Sequence, residues 1–222
     1  LENVIARFDA APGAGAARRV LFGAHYDTRP SAERDPDPSK RALPIAGAND
    51  GGSGVAVLLE VAEMLSRRRA PVAVELAFFD GEDLGRPEEP GTYSLGAQGY
   101  AARLRDPKPQ AGFVFDMVGD RDLNIHPEAY SMEAAANLVA LVLEGARATG
   151  ATGFRPEVKY RVTDDHLPLI RAGIPSVDII DFDYPPWHTQ SDTPDRVSGE
   201  SLAQVARVAG WILYASPLAG RR

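Results

Sequence analysis

Two histidines and several acids stand where a folded chain keeps reactive groups. His25, Asp50, the neighbours Glu82 and Asp83, Asp116 and His188 each fall at or just past the end of an apolar run, or at the start of a helical pattern. Imidazole nitrogens and carboxylate oxygens together are ligands for zinc. A carboxylate beside the metal that is not itself a ligand can move protons as a general acid or base. Two histidines and the carboxylates Asp50, Asp83 and Asp116 could hold one or two zinc ions and leave Glu82 free for that role. No local pattern such as HExxH certifies the set, because the residues are scattered from His25 to His188. Each also has a plainer reading: Asp50 as a helix N-cap, a lone histidine as a structural residue, the Asp80–Asp83 run as a solvated turn. Asp116 is the hardest to explain away. A charge inside the apolar segment AGFVFDMV costs several kcal/mol unless it is paired or bound to metal.

The elements that must position these groups follow from the pattern. Residues 72–79 read as a buried strand that runs into the acidic turn DGED, the stretch around which the chain is organised. Strands are also expected at 3–8, 19–24, 111–118 and 176–180, with a turn at 11–17. Helices are expected after Asp50, on the spacing of Val55, Leu58, Leu59, Ala62 and Leu65, and at 94–104, 132–148 and 200–214. Strands alternating with helices predict right-handed crossovers: an α/β fold, a single three-layer α/β/α domain over 1–222 with a mixed, mostly parallel sheet. Ligands of such sheets bind at the carboxyl ends of the strands. Residues 29–46, with four prolines and many charges, read as a long irregular loop of the kind that walls active sites. The glycine-rich run GANDGGSG lacks the spacing and the Gly-Lys-Ser/Thr ending of a phosphate loop. In DFDYPPWH, Tyr184 and Trp187 are candidate pocket walls, whereas Trp211 reads as core. His126 has no acidic cluster beside it and reads as a surface residue. Arg67, Arg68 and Arg69 read as favourable charge at a helix C-terminus.

Composition narrows the function. A formal charge of −7 leaves no surplus of cations for nucleic acid or an anionic membrane surface. No apolar run approaches the ~20 residues of a membrane span, so the chain is expected to be soluble. Localisation stays open; a signal or anchor segment removed ahead of Leu1 would make the protein secreted or periplasmic. Without cysteine there are no disulfides or thiolate ligands, so any metal rests on histidine and carboxylate.

Six segments in order, GAHYDT, AGANDGGSGVAVLLEVA, FFDGED, FDMVGD, DDHLPLIRAGIP and WHTQSDT, span nearly the whole chain. They resemble the superfamily of zinc aminopeptidases and animal-type glutaminyl cyclases. The resemblance implies a zinc held by Asp50, Asp83 and His188, with His25 and Asp116 matching the ligands of the second zinc of aminopeptidases. It implies Glu82 as the general base in both chemistries, on a peptide or small-protein N-terminus. One zinc is expected; the residues permit two. Asp83 stands where most relatives carry glutamate, shorter by one methylene, roughly 1.5 Å. Asp164 stands where aminopeptidases carry a small serine, and in cyclases the matching aspartate joins an acidic network with the base and Asp116. Trp187 matches a cyclase pocket aromatic and Tyr184 falls near another. These features imply conversion of N-terminal glutamine to pyroglutamate with release of ammonia. The alternative is a two-zinc aminopeptidase. A non-catalytic zinc-binding domain would show a damaged base or ligand set, and both are intact. Oligomeric state and physiological substrate are not legible.

Overall fold

A computed structural model describes residues 1–13, 18–86 and 88–219. Five strands form one sheet in the order β1-β3-β2-β4-β5. They are β1 (Val4–Phe8), β2 (Arg19–His25), β3 (Ala73–Phe79), β4 (Ala111–Asp116) and β5 (Ser176–Ile180). β1 runs antiparallel to β3, and every other pairing is parallel. The sheet is therefore mixed and mostly parallel, as the alternation of elements predicts. The turn expected at 11–17 lies partly outside the described residues.

The central strands are apolar on both faces because helices cover both. On one face Val20, Phe22, Val74, Leu76, Phe113, Phe115, Val177 and Ile179 pack under α1 (Gly52–Arg67), α3 (Ala129–Thr149) and α5 (Gly199–Tyr214). On the other, Leu21, Ala77, Phe79 and Val114 meet α2 (Leu95–Ala102) and α4 (His166–Arg171). Phe22 stands edge-on to both Phe113 and Phe115, with ring centroids 5.4 Å apart. That geometry suits aromatic quadrupoles and ties β2 to β4.

Helix α1 buries a different stripe from the one its spacing suggests. Val57, Leu58, Val61 and Leu65 face the core, and Leu59 is exposed. Apolar residues nearly encircle this helix, so periodicity alone could not choose between two stripes that share Leu58 and Leu65. His126 is not a surface residue either: it is partly buried, with its Nδ1 3.1 Å from the Glu157 carbonyl and its ring edge-on to Tyr160. Arg67 does lie in the last turn of α1, and Trp211 packs against the main core.

Two glycines let the start of α1 press onto the sheet. Gly51 has φ +57°, and a Cβ there would come within 2.9 Å of the His25 ring and carbonyl. At Gly54 a Cβ would run into the Phe115 carbonyl oxygen and the Ala24 side chain. This close approach brings Asp50 to the ends of β2 and β4. Gly54→Ala should destabilise the fold by about 1–3 kcal/mol or more, read as an earlier thermal unfolding transition. An unchanged transition would show that the helix is free to lift off the sheet.

Candidate metal centre and active site

The carboxyl ends of the strands gather the reactive residues. His25 closes β2, Glu82 and Asp83 follow β3, Asp116 closes β4, His188 lies in the loop after β5, and Asp50 precedes α1. All six are buried. Asp50 is not the helix cap; Gly51 holds that position without a side-chain bond. Asp50 instead presents Oδ1 to His25 Nε2 at 3.3 Å and Oδ2 to His188 Nε2 at 3.5 Å. One carboxylate thus belongs to two groupings, His25/Asp50/Asp116 and Asp50/Asp83/His188, whose ligand atoms lie within 4.8 Å of one another.

Both imidazoles are held the same way. His25 Nδ1 lies 3.1 Å from the Asp27 carbonyl and His188 Nδ1 lies 2.6 Å from Glu33 Oε1. Each partner is an acceptor, so Nδ1 carries the proton and Nε2 faces the carboxylates. This is the arrangement that orients a metal-binding histidine. His188 Nε2 is 3.3 Å from Asp83 Oδ1, and His25 Nε2 is 3.2 Å from Asp116 Oδ1. His188 itself sits at φ +55°, an uncommon conformation that its surroundings must hold in place.

The supports around the ligands were less legible in the sequence. Asp27 accepts the backbone N–H groups of both Glu82 and Asp83 at 3.0 Å, and Asp192 does the same for Asn49 and Asp50 at 2.9 and 3.1 Å. Both lie inside the HYDT and HTQSDT segments, so the motifs carried a signal. Glu33 and Arg29 had none. Arg29 donates to Glu33, to the Asp83 and Gly85 carbonyls at 2.8 Å, and approaches Asp83 Oδ1 at 3.5 Å. Arg29 and Glu33 therefore bracket Asp83 and His188 from the long loop 29–46.

Among the described residues, the Glu82 carboxylate accepts one hydrogen bond, from the Ser94 hydroxyl at 3.3 Å. Burial, then the charge of Asp164, pushes its carboxyl well above the ordinary range. Asp164 is raised by burial and by Asp116, and Asp50 is raised to about 7 by burial against the charges of Asp83 and Asp116, with His25 opposing. Asp164 does not cap α4; Asp165 occupies that position, and its side chain makes no capping bond. Behind Asp164 a further group collects. His166 lies 3.2 Å from Glu128 and 3.6 Å from Asp178, all fully enclosed. Burial would raise Glu128, yet the His166 hydrogen bond and the N–H groups of Tyr130 and Ser131 bring it down to about 2. Glu128 and Asp178 were missed: Glu128 lies ahead of the helix expected at 132–148, where the structure makes it the N-cap, and Asp178 lies within the strand expected at 176–180.

These groups open into a cleft of 380 Å³ lined by Glu33, Arg34, Tyr93, Tyr160, Phe182 and Trp187 around the acids. Trp187, one of the two candidate pocket walls, is among the lining residues. Tyr184 is not: its ring is buried and its hydroxyl donates to Asp192 at 2.8 Å. Phe182 takes the wall position instead, 4.7 Å from the Trp187 ring. A larger groove of 790 Å³ between β1 and α2 is unrelated to this chemistry; its buried acid, Glu75, is paired with Arg7 and Arg19.

The model of Peptidase family M28 matches residues 3–212. The chain belongs to this family. Among solved structures, a Zn-dependent exopeptidase of Parabacteroides distasonis is 35% identical with a TM-score of 0.90, covering 96% of this chain and 77% of that one. A glutaminyl cyclase of Bacteroides thetaiotaomicron bound to N-acetylhistamine is 31% identical, also at 0.90, covering 96% and 77%. The glutaminyl-peptide cyclotransferase of Boiga dendrophila is 24% identical over 87% of this chain, and the chain spans 60% of that protein's length. The M28 fold thus accommodates both names at equal structural similarity.

Zinc is the metal that membership implies, and the residues fit it. Asp50 Oδ2 and Asp83 Oδ2 are buried without hydrogen-bond partners, which is costly unless a cation meets them. His188 must be neutral at Nε2 to bind metal. Burial would depress its pKa, but Asp83, Asp50 and Glu33 together raise it. Zinc affinity is therefore expected to fall as pH drops through that raised value. Glu33→Ala should weaken zinc binding by about 10- to 100-fold and His188→Ala should abolish it, as measured by chelator competition. Native affinity in both variants would exclude this assignment.

Proposed function

We propose that residues 1–222 form one catalytic domain of a zinc-dependent glutaminyl-peptide cyclotransferase. Its substrates would be peptides or small proteins with N-terminal glutamine. The carrying observation is Asp164, buried at the cleft with Glu82 and Asp116, where it raises the Glu82 carboxyl. Peptide hydrolysis too takes a proton from the nucleophile and returns it to the leaving amine, so the shuttle alone does not separate the readings. What favours the cyclase is the second buried acid itself, Asp164, at the position where aminopeptidases carry a small serine.

The α-amine of the substrate attacks its own side-chain amide carbon, the new C–N bond closes the ring, and the amide nitrogen leaves as ammonia. Glu82 accepts a proton from the attacking amine and delivers it to the departing nitrogen. A carboxyl raised by burial and neighbouring charge is a stronger base than an ordinary glutamate, which helps it take the proton from the amine. Zinc held by Asp50, Asp83 and His188 would supply polarisation of the amide carbonyl. The acid-rich floor of the cleft attracts the ammonium form of an incoming N-terminus, which must lose its extra proton to solvent before the neutral amine attacks, and Trp187 and Phe182 line the wall. No helix among the described residues is long and apolar enough to cross a membrane.

A second reading, a two-zinc aminopeptidase, draws on Asp50. Its two oxygens face the two histidines separately, as a carboxylate bridging two ions would. Glu82→Gln should cost ~10²- to 10⁴-fold in rate under either chemistry while zinc is retained; a near-native rate would place the base elsewhere. Asp164→Ala separates the two readings. A large loss of glutamine cyclisation with one zinc per chain supports the cyclase. Two bound zincs, cleavage of a leucine anilide and indifference to Asp164→Ala would establish the peptidase.

A further inference from the structure

Opposite the acidic floor, the mouth of the cleft carries positive charge. Its lining includes two cations, Arg34 and Arg161. Arg161 is committed elsewhere, ion-paired with Glu133 and lying over the Tyr130 ring. Just beneath, Arg29 is neutralised by Glu33 and Asp83. Arg34 differs. Its guanidinium lies over the Trp187 ring, 4.0 Å from the centroid, it is solvent-exposed, and it has no ion-pair partner among the described residues. Its backbone N–H donates to the His188 carbonyl at 3.2 Å, which fixes it beside the ligand loop. A guanidinium stacked on an aromatic face keeps its N–H edge free, and that edge matches a carboxylate in a bidentate pair.

Trp187 lines the cleft that a peptide's amine would enter, so Arg34, stacked on that ring, stands beside such a peptide. We propose that Arg34 makes this a site for peptides that carry a carboxylate shortly after the N-terminal residue. Two sources would present the same group: an acidic side chain at the second or third residue, or the C-terminus of a very short peptide. This specificity rests on the cyclase reading for its N-terminal glutamine but not for the Arg34 contact itself. The overall charge of −7 works against acidic ligands, so the preference has to arise from this local contact rather than from long-range attraction.

The test is equilibrium binding to zinc-loaded Glu82→Gln protein, which holds peptide without turning it over. Gln-Glu-amide should bind about fivefold more tightly than the neutral isostere Gln-Gln-amide, the range of one exposed ion pair. The preference should shrink in high salt. In the Arg34→Gln, Glu82→Gln double variant it should vanish while affinity for Gln-Gln-amide is kept. Comparing Gln-Ala with a free carboxylate against its amide separates the C-terminal source from the side-chain source. Equal affinity for acidic and neutral peptides, or a preference that survives Arg34→Gln, overturns the proposal. If Glu82-intact protein does not cyclise any of these peptides but the Arg34-dependent preference persists, the cyclase reading falls and the role of Arg34 stands.

Discussion

Asp50, Glu82, Asp83, Asp116 and Asp164 share one buried space, and like charges so placed cannot all be ionised without a counter-charge. Much of the surrounding structure answers this constraint. His25 and His188 stand between the carboxylates, and Arg29 pins the Asp83 corner. The unpartnered oxygens of Asp50 and Asp83 remain for a cation. At Glu82 and Asp164 burial and the neighbouring carboxylates outweigh the charge of the nearby histidines, and the acids are pushed toward the protonated form. The proposed metal binding and proton transfer would thus both answer the same electrostatic cost.

The scaffold holds these groups rigidly. β2, β3 and β4 deliver His25, the Glu82–Asp83 corner and Asp116 to one edge, and Asp27 ties the β2 end to the β3 corner through two backbone N–H groups. The loop 29–46 is less regular but is pinned at several points. Gln190 N–H donates to Asp35 at 2.9 Å, the Arg34 N–H reaches His188, and Glu33 orients the His188 ring. The cleft wall at Trp187 and the candidate ligand His188 are therefore set by contacts between two loops far apart in the chain.

The central strands were legible because burial on both faces makes each a short apolar run, and β5 falls on the expected 176–180. The ligand candidates were legible because charge at the end of such a run has few structural excuses, Asp116 above all. Other features could not be read. Apolar residues around α1 hid that Val57 and Val61, not Leu59, face inward. An aromatic loop gave no sign that Tyr184 turns its hydroxyl to Asp192 and leaves the cleft to Phe182. Glu33 and His188 meet across 155 positions, and no local pattern encodes that pairing. The acid-lined cleft argues for proton shuttling, but the shared Asp50 would serve two metals as readily as one. The proposed cyclase and peptidase readings therefore draw on the same buried residues.

Those reactions differ most simply in their use of water. Ring closure consumes none, whereas peptide hydrolysis places a water oxygen in a product carboxylate. Mass spectrometry of a glutamine-initiated peptide incubated with the zinc-loaded protein in heavy-oxygen water reads this directly. The account predicts a single product lighter by one ammonia and free of heavy oxygen. Release of free glutamine carrying heavy oxygen in its carboxylate, with the shortened peptide, would contradict it.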